Sequence, residues 1–220
     1  MNFLADFFGD ASRWSGPDGI PVRLLEHLEF SAAAFLVAAL IAVPLGMLIG
    51  HTGRGALVVV VAANAARALP TLGLLVLVVL LAGVGTVLPV LIPLIVLAIP
   101  PILVNTYEGV RGVDADLRDA AYGMGLRGRQ VLFRTLTPVA LPLILLGLRL
   151  AAIQVVSTAT VAAFVGLGGL GRFIIDGLAT KTYASVIGGA VLVAALALAV
   201  QFAFLLLDRV VVSPGVRQVR

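Results

Sequence analysis

The sequence predicts an all-α integral membrane protein of five spans, with a polar helix–turn–helix set between the third and the fourth. Three observations carry that prediction. The chain is 61% hydrophobic and 12% charged, with a mean hydropathy of +1.15, whereas a soluble domain of this length exposes far more charge. Residues 30–50 run 21 positions without a charge, enough to cross a bilayer at about 1.5 Å per residue. The remaining charges gather between such runs and are mostly Arg.

Residues 1–29 form an extracytoplasmic amphipathic lead-in whose Phe3, Phe7, Phe8 and Trp14 suit a membrane interface. SGPDGIP at 15–21 is a turn-rich break. The segment carries five acidic residues against Arg13 and Arg23, which is not the pattern of a cleaved signal peptide. The first span is therefore expected to act as an uncleaved insertion signal.

Residues 30–207 form the membrane domain. The first span is 30–50. The apolar run 56–66 is only 11 long before Arg67 and Pro70, too short to cross, so it reads as an oblique piece leading into a second span at 68–82. If 56–66 crosses alone, the chain has six spans. The third span, 87–107, contains Pro89, Pro93, Pro100 and Pro101, which neighbouring helices can accommodate by satisfying the freed carbonyls. A polar loop, 108–134, follows. The fourth span is 135–161, with Arg149 and Gln154 inside it, and the fifth is 183–207. Between them lies a flexible glycine segment, GLGGLG at 166–171. Residues 208–220 form a basic tail.

Orientation follows from the basic residues. With five spans, one side receives Arg54, Arg111, Arg118, Arg127, Arg129, Arg134, Arg209, Arg217 and Arg220; the other receives Arg13, Arg23, Arg172 and Lys181. The positive-inside rule then places the polar loop and the C-terminus in the cytoplasm and the N-terminus outside. The net charge of +4 is thereby a topology signal, and no nucleic-acid partner is implied.

The polar loop runs into residues 119–142, DAAYGMGLRGRQVLFRTLTPVALP, which cannot lie in hydrocarbon in its first half. Asp119 in a first turn suits a helix dipole and Ala120 and Ala121 favour helix. Gly123 and Gly125 interrupt that helix, and Pro138 and Pro142 mark the return to an apolar span. A helix–turn–helix of this kind is a shape suited to docking a partner.

Elsewhere the bland readings prevail. Arg149 is read as a structural partner within the subunit and Gln154 as an interhelical hydrogen-bonding group; Arg67 snorkels to the interface. GLGGLG follows a span and not a strand, so it is no dinucleotide loop. Gly166, Gly168, Gly169 and Gly171 are instead read as a gate or re-entrant segment of a path, alongside Gln154, or as a plain turn. His27 and His51 lack carboxylate neighbours in register, so no metal site is expected. With no cysteine and no Asp or Glu inside the spans, a membrane enzyme or protease is disfavoured.

These residues resemble the permease subunits of bacterial ABC importers. That family carries Glu-Ala-Ala-x3-Gly-x9-Ile-x-Leu-Pro, matched here by Asp119-Ala120-Ala121, Gly125, Thr135, Thr137 and Pro138 with the spacing intact. Asp replaces Glu and keeps the charge; the two Thr weaken an apolar packing face. The Gly-Met-Gly form of the motif, Leu141-Pro142, Arg67-Ala-Leu-Pro70-Thr71, Asn105-Thr106-Tyr107-Glu108-Gly109 and GLGGLG look like the osmoprotectant branch, which takes up glycine betaine, choline or carnitine. Methionine, sulfonate and phosphonate importers share the loop and supply the alternative substrates.

The resemblance implies a multi-pass permease in the bacterial inner membrane, paired with a second permease subunit, itself or a paralogue. It implies two cytoplasmic ATPase subunits beneath and an external substrate-binding protein above. The chain has no G-x-x-x-x-G-K-[ST] phosphate loop, so ATP and Mg belong to the ATPase partner and no cofactor is bound here. Asp119, Ala120, Ala121, Gly123, Gly125 and Pro138 would form the ATPase-coupling loop. Asp119 to Gly125 would be its docking helix.

Overall fold

The computed structural model describes residues 2–83 and 85–213, without the side chains of 60, 62, 63 and 65–67. The Arg67 side chain and the tail arginines Arg217 and Arg220 thus lie outside the described residues. Every regular element among those described is helical.

α1 (Phe3–Phe8) and a 3-10 turn (Ala11–Trp14) lead the chain. Asn2 caps α1 and Asp10 caps the turn, each side chain accepting a free backbone N–H. α2 (Ile20–Thr52) is 33 residues long and continues through Pro44. It begins ten residues before the expected span, because Pro21 suits the first turn of a helix and does not break it. Residues 20–29 of the expected lead-in therefore belong to α2.

α3 (Ala56–Ala68) and α4 (Thr71–Ala82) are separate helices. Pro70 between them is extended, with ψ 117°, and proline drives its predecessor out of helical conformation. α4 has 12 residues, about 18 Å of rise against a hydrocarbon core of about 30 Å. α5 (Leu88–Arg111) keeps its helix through its prolines and extends four residues past the expected boundary. α6 (Ala115–Gly123) and α7 (Gly128–Val131) follow, then a π turn (Leu132–Leu136) and α8 (Thr137–Thr158). A 3-10 segment (Ala159–Val165), α9 (Gly171–Ala179) and α10 (Tyr183–Val211) complete the chain.

Among the described residues, four stretches are long and apolar enough to cross a membrane: Ile20–Thr52, Leu88–Arg111, Gly128–Val165 and Tyr183–Val211. The expected second span, 68–82, corresponds to the shorter helix α4.

The chain divides into two compact units. The first comprises Met1–Leu36, Leu69–Leu97 and Ala152–Val200. Its core gathers Phe7, Ile20, Leu170 and Phe173, with Phe7 meeting Phe173 edge-on at 5.4 Å between ring centres. Phe7 is fully buried; it fills the space that a side chain at Gly188 of α10 would need. The interfacial role expected of Phe7 is thus replaced by a core role.

The second unit comprises Val37–Ala68, Ala98–Ala151 and Gln201–Arg220. Here α5 is held on two sides by small residues. Gly46 and Gly50 of α2, spaced as G-x-x-x-G, lie against Thr106 and Val110 of α5; a Cβ at either would come within 2.8 Å of a side-chain carbon. On the other side, Gly147 of α8 abuts Asn105 and Pro101, and Gly109 of α5 abuts Ala140. Lipid tails are as apolar as Leu, so close backbone approach through small residues is what holds such helices together.

Candidate functional site: the polar helix pair and the glycine turn

The polar segment is built in the second unit, starting where α5 stops. The Gly112 N–H donates to Glu108 O at 2.8 Å, and Asp114 caps α6 by accepting the Asp116 N–H at 2.8 Å. The helix therefore begins at Ala115, not at Asp119. Asp116 occupies the first turn that the sequence assigned to Asp119, where a carboxylate complements the dipole. Asp119 sits mid-helix and exposed.

α6 has one buried and one open face. Ala121 is 1% exposed and belongs to a core with Met47, Val110, Val113, Val131, Leu132, Leu136, Ala140 and Ile144. Asp119, Ala120, Tyr122, Gly123, Met124 and Gly125 are exposed, Met124 at 74%. Arg118 donates from Nη2 to Val110 O at 3.3 Å, tying α6 to a carbonyl in the last turn of α5.

The turn after α6 explains the motif glycine. Leu126 N–H donates to Ala121 O at 3.2 Å and Gly125 N–H to Tyr122 O at 2.9 Å. Gly125 has φ +81°. This is a Schellman termination, which places a left-handed residue one position after the cap, with the following residue (here Leu126) packing back on the helix. A side chain at Gly125 would meet nothing within 4 Å, so conformation alone calls for glycine there.

The chain re-enters through α7, whose Arg127 N–H donates to Gln130 Oε1 at 2.8 Å. Leu132, Leu136, Ala140 and Ile144 then form a buried stripe at four-residue spacing. These residues supply the apolar face that Thr135 and Thr137 were expected to weaken. Thr137 has another use: its hydroxyl donates to Leu132 O at 2.8 Å, the carbonyl that also accepts the Thr137 backbone N–H where the π turn ends. Thr137→Val is expected to lower stability by about 1 kcal/mol, seen as a reduced Tm of the purified chain in detergent; an unchanged Tm would show that the hydroxyl contributes nothing.

Charge is divided between the two limbs. Asp114, Asp116 and Asp119 lie on or beside α6, and Arg127, Arg129 and Arg134 follow the turn. The three Arg, with Gln130 and Phe133, line an open cavity of about 350 Å³. Pro138 is exposed where the π turn passes into α8. Arg149 lines a separate cavity of about 270 Å³ with Phe204 and Asp208. Asp208 lies three residues from the end of α10. Gln154 is exposed on α8.

The glycine segment lies in the first unit. Gly166 ends the 3-10 segment with φ +76°, Gly169 has φ +92°, and Gly169 and Gly171 are buried. A side chain at Gly171 would run into Thr160 O, and one at Gly168 into the Glu26 carboxylate. The Gly169 N–H donates to Glu26 Oε2 at 2.8 Å. Arg23 holds the same oxygen at 3.0 Å and also pairs with Asp18. The adjacent His27 is fully buried, its Nε2 2.8 Å from Val156 O. A carbonyl oxygen can only accept, so Nε2 carries the proton. Glu26 and His27 escape sequence reasoning because their partners are 143 and 129 residues away.

A polar cavity of about 640 Å³ opens beside this contact, lined among others by Arg13, Arg23, Arg172, Asp10, Asp18 and Asp176. At its rim the Ser12 hydroxyl, 2.6 Å from Asp10 Oδ1, and the Ser12 N–H hold the Asp10 carboxyl below the usual carboxylate range.

The chain is similar to known proteins over most of its length. A family model described as the binding-protein-dependent transport system inner membrane component matches residues 42–214. The carnitine transport permease protein OpuCB of Listeria monocytogenes is 36% identical over 199 residues, covering 90% of this chain and 91% of that protein. The glycine betaine/carnitine/choline transport system permease protein OpuCB of Bacillus subtilis is 35% identical, covering 87% and 88%. Among solved structures, an inward-facing form of the MetNI methionine ABC transporter matches with a TM-score of 0.74 at 24% identity, over 87% of this chain and 95% of that one. At that identity the likeness concerns the fold.

Proposed function

The chain belongs to the family of binding-protein-dependent transport system inner membrane components, and from that membership we propose that it is the permease subunit of an ATP-driven importer of quaternary-amine osmoprotectants. The observation that carries the substrate class is the pair of relatives at 36% and 35% identity, whose names specify carnitine and glycine betaine, carnitine and choline. The methionine transporter shares the fold at 24% identity, which does not favour methionine as substrate here.

In this reading α6 is the coupling helix. Its outward residues Asp119, Ala120, Tyr122, Gly123 and Met124 seat in an ATPase subunit, and Ala121 anchors it to the core. Force applied to α6 reaches α5 through Arg118 and reaches α8 through the stripe from Leu132 to Ile144, so motor closure becomes rigid-body motion of the long helices. ATP and Mg act in the ATPase subunits. A second permease subunit completes the path and an external binding protein delivers substrate. The N-terminus faces outside and the C-terminus the cytoplasm, in keeping with the distribution of Arg.

Uptake of radiolabelled glycine betaine, choline and carnitine at high osmolarity tests the reading in a strain lacking this chain. Restoration of uptake of at least one of them by the returned gene is the expected result. Unchanged uptake of all three removes the osmoprotectant assignment.

A further inference from the structure

We propose that Glu26 and His27 are positioning residues of the permease: together they clamp the head of α2 to the end of α8 and to the glycine turn, so that these segments move as one body during transport. The inference rests on the transport reading for its consequence and on geometry for its existence.

The clamp has two jaws. Glu26 Oε2 accepts the Gly169 N–H at 2.8 Å, and Arg23 at 3.0 Å orients the same carboxylate. His27 Nε2 donates to Val156 O at 2.8 Å from a fully buried ring. One jaw takes a donor and the other an acceptor, from backbone sites 13 residues apart on either side of the 3-10 segment.

The glycines are shaped to admit these two side chains. Any Cβ at Gly168 would overlap the Glu26 carboxylate, and one at Gly169 would come within 3.3 Å of His27 Nδ1. Gly169 also holds φ +92°, a conformation that other residues adopt only with strain. The glycine pair and the Glu-His pair are therefore halves of one fit. A carboxylate and an imidazole are costly near the apolar body of a membrane helix. A hydrogen bond that a backbone N–H donates to a carboxylate is stronger than one between neutral groups. A plain glycine turn needs neither residue.

The test uses the full chain assembled with its ATPase partner in sealed proteoliposomes, with the external binding protein supplied, and has two readouts. Amide exchange over residues 166–171 reports the clamp without reference to any substrate. Uptake per ATP hydrolysed, with glycine betaine, choline and carnitine as probes, reports its consequence.

Glu26→Ala is expected to raise exchange at the Gly169 amide at least tenfold and to lower uptake per ATP at least fivefold, with the complex still assembled. Glu26→Gln keeps an acceptor oxygen and is expected to restore most of both. Gly168→Ala should resemble Glu26→Ala, and combining the two should be no worse than Glu26→Ala alone, since the shortened side chain vacates the contested space. Unchanged exchange in Glu26→Ala, a Gln variant as defective as Ala, or an additive double variant each overturns the proposal. If the unaltered chain moves none of the three amines, the osmoprotectant reading fails, and the exchange comparison still decides the clamp.

Discussion

Gly147→Leu is expected to abolish accumulation of the folded chain in the membrane. An ideal Cβ at this position lies 2.7 Å from the Asn105 Cβ, 2.8 Å from Pro101 O and 3.3 Å from the Ile102 Cα. Two of these are backbone atoms, which cannot turn aside as a flexible side-chain end does. Asn105 is itself fixed, since its amide donates to Pro101 O at 2.8 Å. The bare methyl of Gly147→Ala already forces α5 and α8 apart, and overpacking of this kind typically costs about 1–3 kcal/mol. Leucine adds a branched side chain where there is no room for one, against a total stability of about 5–15 kcal/mol. Thermal unfolding of the alanine variant in detergent and the membrane level of the leucine variant measure the effect. A leucine variant that accumulates normally with an unchanged Tm would show that α5 and α8 do not meet as described.

Gly125→Trp is expected to have the opposite character: a chain that folds and assembles but couples poorly. Nothing lies within 4 Å of a Cβ at Gly125, so the indole projects outward and displaces no core residue. The backbone at φ +81° makes a residue other than glycine pay about 1–2 kcal/mol, a cost the fold can absorb. Under the proposed coupling role, the damage falls on the outward face of α6. Uptake should drop at least tenfold while ATP hydrolysis by the complex persists. Gly125→Asn, which tolerates the left-handed conformation and adds little bulk, should retain most uptake. Normal transport by the tryptophan variant removes α6 from the role of coupling helix.

The contrast between these two glycines shows what a sequence discloses. Gly125 stands at fixed spacing from Asp119 and Pro138, so its place in the motif is legible from the chain alone. Its physical reason, a Schellman termination of α6, follows once the helix end is known. Gly147 sits in an apolar run with nothing to mark it. Only the approach of α5, which comes from about 40 residues upstream, gives it meaning. Gly46 and Gly50 fall between, because their G-x-x-x-G spacing is visible but the helix they face is not.

The start of α6 marks another boundary of the same kind. Asp119 is a plausible first-turn residue by propensity, yet Asp114 takes the cap because α5 ends at Arg111 and Gly112 opens the chain there. Local propensity ranks several carboxylates alike, and the exit point of the preceding helix chooses among them. The expected span at 68–82 differs from the structure for a related reason. Pro70, already legible as a break, is extended between α3 and α4, so the helix starts at Thr71 and not at Ala68.

By itself, the sequence determined the class of this protein, the polar interruption and its motif, and the asymmetry of its Arg residues. Each of these is a property of composition or short-range spacing, carried by neighbours along the chain. The tertiary structure alone decided that Phe7 is core, that small residues seat α5 between α2 and α8, and that Glu26 bonds the glycine turn while His27 bonds the end of α8. Those outcomes depend on groups as far apart along the chain as Phe7 and Gly188 meeting at contact distance, and no pattern within one segment encodes the approach of another.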